Sequence, residues 1–95
     1  MAQVIWSPAA LEDVDSIAEF ISRDSPDNAA LFVHRLITAT DRLLDFSESG
    51  RVIPEIGDES CREVMYGLYR IMYRIEGAEI WITGIVHGAR NWQPG

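Results

Sequence analysis

The sequence has no lysine, a single cysteine and no long apolar run. With only one thiol, Cys61, the chain cannot form an internal disulfide, which is typical of proteins in a reducing compartment. No segment approaches the ~20 apolar residues that span a membrane, and the N-terminal residues have no charged leader pattern. We therefore expect a cytoplasmic protein without a membrane segment.

Basic charge is scarce and is carried by arginine alone. Eight arginines stand against 15 acidic residues, which gives a net charge of -7. Residues 1–60 hold twelve acidic and four basic side chains, whereas residues 61–95 hold three acidic and four basic ones. General nucleic-acid binding needs a basic surface, so we do not expect it here. Arginine suits forked contacts with carboxylates and phosphates, so a local site of this kind stays open, and the strands of the C-terminal part are the least acidic region.

The length and the 47% hydrophobic content fit one folded domain over residues 1–95. Two histidines and one cysteine at wide spacing do not form a metal-ligand pattern. The sequence predicts neither a metal site nor a cofactor.

Two Ser-Pro pairs mark the starts of two helices. Serine caps a helix well, and proline at the first helical position loses no hydrogen bond. Apolar residues at helical spacing predict helices from about Pro8 to Arg23 and from about Pro26 to Phe46. The short turn between them predicts an antiparallel helical hairpin.

Strand patterns lie at both ends of the chain. A short strand is predicted at Gln3 to Trp6, and three consecutive strands at Cys61 to Tyr66, Leu68 to Ile75 and Glu79 to His87. The order is β-α-α-β-β-β. It predicts an α+β fold in which the helical hairpin packs on one face of a small, mainly antiparallel sheet.

The strand from Leu68 to Ile75 has two different faces, because successive side chains on a strand point to opposite sides. Its apolar and aromatic face is predicted to contact the helices and consists of Tyr69, Ile71, Tyr73 and Ile75. The other face would be left uncovered. The residues predicted there are Arg70, Met72, Arg74, Trp81, Ile85 and His87. Large exposed apolar groups usually mark a partner surface.

Simpler interpretations of these residues stay open. Arg70 and Arg74 can pair with carboxylates such as Glu63 or Glu79 across the sheet. Gly84, inside the last strand, indicates a bulge or close packing under a helix.

Seven short motifs occur in a recognisable order. They are W-S-x-x-A-x-x-D in Trp6 to Asp13, S-P-x-x-A in Ser25 to Ala29, G-R in Gly50-Arg51, P-E in Pro54-Glu55, R-E in Arg62-Glu63, Y-R-I-x-Y-R in Tyr69 to Arg74, and V-H-G-x-R in Val86 to Arg90. In this order and spacing the sequence resembles the ParE/RelE toxin superfamily of bacterial type II toxin–antitoxin systems. It is most similar to the ParE, or plasmid-stabilisation, branch.

The resemblance implies a small cytosolic toxin that a cognate antitoxin holds inactive. In this superfamily the DNA-binding domain of the antitoxin lets the complex repress its operon. ParE-like toxins act on DNA gyrase, whereas RelE-like toxins cut mRNA in the ribosomal A site. A homodimer and a toxin–antitoxin heterotetramer are both left open as assemblies.

The choice of branch depends partly on chemistry. Metal-independent RNA cleavage needs a base, an acid and cations around one phosphate. By resemblance the candidates for this work are Arg70, His87 and Arg90. Gly88 stands where that branch has a tyrosine, there is no lysine to contribute, and the chain is acidic. We therefore expect a ParE-like gyrase inhibitor, with a ribosome-dependent ribonuclease and a non-toxic antitoxin-binding module as alternatives.

The partner-binding candidates are Arg51, Arg70, Met72, Arg74, Trp81, Ile85, Arg90 and Trp92.

Overall fold

The computed structural model describes residues 2–88 and Trp92. The elements, in chain order, are β1 Gln3–Trp6, α1 Pro8–Ser22, α2 Pro26–Asp41, a 3₁₀ turn Arg42–Leu44, β2 Arg51–Val52, β3 Cys61–Tyr66, β4 Tyr69–Glu76 and β5 Glu79–His87. The predicted β-α-α-β-β-β order is confirmed. One short strand, β2, is added in the connector between the helices and the sheet.

The helices begin where the Ser-Pro pairs predicted. The Ser7 hydroxyl accepts a hydrogen bond from the Ala10 N–H at 3.1 Å, and the Ser25 hydroxyl accepts one from the Asn28 N–H at 3.2 Å. Each cap satisfies one of the N–H groups that a helix start leaves without an intrahelical partner. The α-helical part of α2 is shorter than predicted, because its last turn tightens into the 3₁₀ turn.

The sheet has the strand order β1-β5-β4-β3-β2. The β1 strand runs parallel to β5, and the other neighbours are antiparallel. Two-residue loops join β3 to β4 and β4 to β5, and each begins with a glycine, Gly67 at φ +56° and Gly77 at φ +57°. A positive φ at the first loop residue is the pattern of type II′ turns, which match the twist of the flanking strands.

The core lies between the helical hairpin and one face of the sheet, here called the helix-side face. Its buried residues are Ala10, Leu36, Leu43, Ile71, Tyr73, Ile80, Ile82 and Ile85. Tyr69 and Ile75 are partly buried against them, so the predicted helix-side residues of β4 are confirmed. The Tyr73 hydroxyl donates to the Ser47 carbonyl at 2.6 Å and accepts from the Gly50 N–H at 3.0 Å. This links the core to the segment that leads into β2.

A bulge in β5 changes which residues face the core. Met72 pairs with Gly84 and Tyr73 pairs with Ile82, which leaves Thr83 as the extra residue. The bulge that Gly84 indicated is therefore present. One extra residue inverts the side-chain alternation beyond it. Ile85 lies opposite Ile71 in the core and is 5% exposed, so its predicted place on the uncovered face was wrong.

The bulge lies next to the point where β1 ends. Trp6 is the last residue of β1 to pair with β5, opposite Ile82. Beyond it, the Ile85 N–H donates to the Asp13 carboxylate of α1 at 2.9 Å. A Cβ atom on Gly84 would lie 3.3 Å from the same carboxylate oxygen. Asp13 and Gly84 therefore allow α1 to pack closely over the bulge.

Candidate functional site on the open face of the sheet

Four charged side chains join on the sheet surface opposite the helices, here called the open face. Arg70 donates from Nε to Glu63 at 2.7 Å, and from Nη1 and Nη2 to the two oxygens of Glu55 at 2.9 and 2.8 Å. Arg51 donates from Nε to the second oxygen of Glu63 at 2.6 Å. Arg51, Glu55, Glu63 and Arg70 form what we call the charge cluster. It contains two cations and two anions and is neutral as a whole.

The sheet register explains how these residues meet. Arg51 lies directly opposite Glu63 across β2 and β3. Glu63 lies opposite Met72 on β4, so Arg70 is its diagonal neighbour on the same face, within reach of a long side chain. Glu55 comes from the connector between β2 and β3. The G-R, P-E, R-E and Y-R motifs thus each supply one member of the cluster.

The centre of the charge cluster is buried. Glu63 is 2% exposed and Arg70 is 6% exposed. The hydrogen bonds from Arg70, together with the Glu55 backbone N–H, lower the pKa of Glu55 from 4.5 to about 2. The same bonds to Glu55 raise the pKa of Arg70, although burial opposes this effect. Within residues 2–88 and Trp92, every buried side-chain nitrogen and oxygen has a hydrogen-bond partner.

An aromatic ring covers the arginine at this centre. The Arg70 Cζ lies 5.7 Å from the centroid of the Trp92 ring, within the range of a cation–π contact. The pairing of Arg70 with Glu63, one of the simpler interpretations left open above, is present, and Arg70 also pairs with Glu55, a carboxylate that was not named. Glu55 stands in a connector without periodic pattern, and the P-E motif was the one indication of it.

The other predicted open-face residues differ in accessibility. Met72 is buried, at 3% exposure, between Glu63 and Gly84 in the register. Trp81 is half-buried and donates from Nε1 to Glu79 at 3.2 Å. Arg74 is exposed and pairs with Glu76 of its own strand at 2.9 Å. Arg90 lies outside the described residues.

His87 does not join Arg70. It lies opposite Tyr69, and the two rings meet edge to face with centroids 5.5 Å apart. Tyr69 in turn contacts Phe32 of α2, at 5.4 Å, so this stack belongs to the helix-side face. The predicted place of His87 on the uncovered face was wrong. The bulge at Thr83 inverts the side-chain alternation of β5 from that point to His87.

Metal binding and membrane insertion were both considered for the described residues. No three His, Cys, Asp or Glu side chains among them are placed to hold a metal ion together. Neither of their helices combines the length and the apolar character needed to cross a membrane.

The same elements and motifs occur in known proteins. The sequence profile of the family described as "ParE toxin of type II toxin-antitoxin system, parDE" matches residues 4–92. The chain belongs to the ParE toxin family. One relative of this ParE-family chain, Toxin RelE2 of Caulobacter vibrioides, is 36% identical over 91 residues, which cover 95% of this chain and 99% of the relative. Another relative, Y4kP of Sinorhizobium fredii, is 34% identical over 92 residues, covering 95% and 92% of the two chains.

A solved structure shares the fold of this ParE-family chain. It is described as the chromosomal ParDE TA system from P. aeruginosa, and it superposes with a TM-score of 0.75. The match covers 92% of this chain and 96% of that chain at 21% identity. At this identity the likeness supports the helical hairpin on a mixed five-stranded sheet.

Proposed function

We propose that this ParE-family toxin inhibits growth by poisoning DNA gyrase, without cutting RNA, and that a cognate antitoxin neutralises it. The observation that carries the choice is the separation of Arg70 from His87 by the sheet. The family match and the toxin relatives support the toxin–antitoxin part of the proposal.

A metal-independent ribonuclease needs its acid, base and cations around one phosphate. Arg70 gives all three guanidinium nitrogens to Glu63 and Glu55, so a phosphate would have to displace a carboxylate. His87 would face such a phosphate from the wrong side of the sheet. The net charge of -7 also opposes binding to ribosomal RNA.

A protein-binding surface suits the open face better. The neutral charge cluster fixes a platform, while the side chains of Arg51 and Arg74 are 67% and 45% exposed. Trp81 and Trp92 are half-buried and add aromatic surface. Arginine and tryptophan are enriched among the residues that dominate protein–protein binding. We propose Arg51, Arg74, Trp81 and Trp92 as the contact residues, with Arg70 and the buried Met72 supporting them.

Induced expression without antitoxin tests the target. DNA synthesis and mRNA integrity are followed in the same cells, and purified toxin is added to a gyrase supercoiling assay. We expect replication to stop, cells to filament and mRNA to stay intact. Arg74→Ala should weaken gyrase inhibition, while Arg23→Ala, an exposed arginine at the far end of α1, serves as its matched control.

The alternatives give different results in the same experiment. Rapid mRNA cleavage with continuing replication would support the ribonuclease hypothesis. The name of the RelE2 relative agrees with that hypothesis. Normal growth with soluble, folded protein would indicate a module that binds antitoxin without toxicity. Either result overturns the gyrase proposal.

A further inference from the structure

The two edges of the sheet differ in how they are protected against pairing with another chain. An edge strand offers unpaired backbone groups, and proteins commonly block such edges with charged side chains, prolines or very short strands. At one edge, β2 is two residues long, carries the exposed Arg51 and is soon followed by Pro54. At the other edge, β1 has four residues, Gln3–Trp6, with neither a charged side chain nor a proline. The β1 edge therefore lacks the usual side-chain barriers to pairing.

The backbone bonds of β1 show which of its groups face outward. The N–H groups of Gln3 and Ser7 donate to carbonyls of the β4–β5 hairpin at 3.1 and 3.0 Å. Backbone groups alternate along a strand, so those of Val4 and Trp6 point away from β5. Among the described residues, β5 is the one strand that pairs with β1. The N–H and C=O groups of Val4 and Trp6 are therefore directed at a vacant edge.

These outward groups are complementary to those of a second copy in antiparallel register. Two opposed residues of an antiparallel pair exchange both of their N–H···O=C bonds when their backbone groups face each other. If Val4 of one copy lies opposite Trp6 of the other, a two-fold axis passes between the two copies of Ile5. Both Val4–Trp6 pairs then close at once, because a two-fold contact uses the same residues of each copy.

The side chains on the open face of this register are apolar where the copies would meet. Val4 and Trp6 pack against the core, so Ile5 between them lies on the open face. Ile5 is half-buried and lies opposite Trp81 of β5, which in turn lies opposite Arg74 of β4. Two copies would thus form an apolar row from Trp81 through both Ile5 side chains to the second Trp81, with an arginine at each outer end.

The charge distribution favours a second copy at this edge. Two chains of net charge -7 repel each other, so they can associate most easily where their surfaces are uncharged. The acidic helix α1 packs over β5, where Asp13 accepts the Ile85 N–H, and not over the vacant edge. Glu79 lies beside Gln3 at one end of β1 and accepts a hydrogen bond from its amide at 3.2 Å. In the antiparallel register the two Glu79 carboxylates lie at opposite ends of the contact.

We infer that the chain forms a two-fold dimer through the β1 edge, with Val4 paired to Trp6 between the copies and Ile5 on the axis. The two five-stranded sheets then join into one continuous sheet, and both open faces lie on the same side of it. The dimer thus presents Arg74 and Trp81 of both copies on one surface. This inference does not depend on the target of the toxin.

Sedimentation equilibrium of the purified full chain tests the dimer. Ile5→Lys places two like charges opposite each other on the axis, and we expect it to raise the dimer Kd about tenfold or more. Leu68→Lys makes the same change on the β3–β4 turn, at a side chain that is 69% exposed, and should change the Kd less than about twofold. Circular dichroism confirms that both variants are folded.

Val4→Pro tests the backbone pairing separately. Proline lacks the N–H, but the Val4 N–H points outward, so the bonds between β1 and β5 are kept. We expect this variant to weaken the dimer as well. In the wild-type chain, hydrogen exchange at the Val4 and Trp6 amides should be slower above the dimer Kd than below it.

Three results would overturn the inference. The first is a wild-type chain that stays monomeric at every concentration measured. The second is a dimer that neither Ile5→Lys nor Val4→Pro weakens, because another surface would then join the copies. The third is a Val4 amide that exchanges at the same rate in monomer and dimer and slows only when antitoxin is added, which would give the edge to the antitoxin.

Discussion

The centre of the open face is buried almost as fully as the helix-side face, but by different forces. On the helix-side face, Ile71 and Ile82 are fully buried among other apolar groups. On the open face, Glu63 and Arg70 are nearly as buried, but each is held by a charged partner. The hydrophobic effect has no preferred direction, so the stability lost on truncating an apolar side chain of the helix-side face scales with the buried apolar area that is removed. A buried ion pair depends on both members, because either alone is an uncompensated charge.

This difference suits the two faces to different roles: the helix-side face supports the fold, and the open face is available to bind a partner. The helix-side face fixes the positions of the strands, whereas the charge cluster fixes the side chains that a partner would meet. Charge is exposed at the outer parts of the open face, on Arg51, Arg74 and Glu76. We therefore expect the two faces to respond differently to substitution.

The largest effect is expected from Glu63→Ala. Its carboxylate holds both Arg51 and Arg70, and removing it leaves the buried Arg70 with Glu55 alone. Breaking a buried pair costs about 3–5 kcal/mol of the free energy of unfolding. Urea unfolding followed by circular dichroism measures the loss.

A double variant sharpens this prediction. Glu63→Leu with Arg70→Met replaces the buried pair by apolar groups of similar size, which is often neutral or stabilising. We expect it to regain most of the stability that Glu63→Ala loses. If the double variant is as unstable as the single one, the cost would not arise from the uncompensated charge.

Asp13→Ala should have the next largest effect. Asp13 accepts the Ile85 N–H at the bulge, where β5 no longer has β1 as a neighbour. Hydrogen bonds to charged groups contribute about 1.5–3 kcal/mol. Equilibrium unfolding should show a loss in this range, and faster hydrogen exchange at the Ile85 amide should accompany it. Asp15→Ala, on an exposed position of the same helix, is the control, and an equal loss there would argue against the bulge contact.

The bulge also marks the limit of what the sequence could predict. The helix starts follow from local capping chemistry, and the helix-side face of β4 follows from simple alternation. Ile85 and His87 were misplaced because one extra residue, Thr83, inverts the alternation, and its accommodation depends on a contact with Asp13, distant in sequence. Glu55 was missed for a similar reason, since only the folded connector brings it to Arg70.

Tyr73→Phe probes the helix-side face by a smaller change. It keeps the buried ring and removes only the hydroxyl that bonds Ser47 and Gly50. We expect a loss of about 1–2 kcal/mol in urea unfolding, because the buried Gly50 N–H loses its partner.

The pH dependence of the same variant is a second measurement. Burial raises the pKa of Tyr73 above its ordinary value of 10.0. The folded state therefore favours the neutral phenol, and wild-type stability should fall as the pH rises above 10. This loss should be smaller in Tyr73→Phe. A parallel decline in both proteins would mean that other groups cause it.

The smallest effect is expected from Glu55→Gln and should be visible only in acid. Because Arg70 lowers the pKa of Glu55 to about 2 from 4.5, the folded state favours the carboxylate. Its contribution to stability is present above pH 4.5 and is lost as the pH falls from 4.5 towards 2. Across this window the stability of wild type should decline more steeply than that of Glu55→Gln. Glu59→Gln, an exposed position on the same connector without an ion pair among the described residues, is the matched control and should keep the wild-type slope. Equal slopes for all three proteins would show that the ion pair between Arg70 and Glu55 does not persist in solution. The open face would then present the Arg70 guanidinium to a ligand.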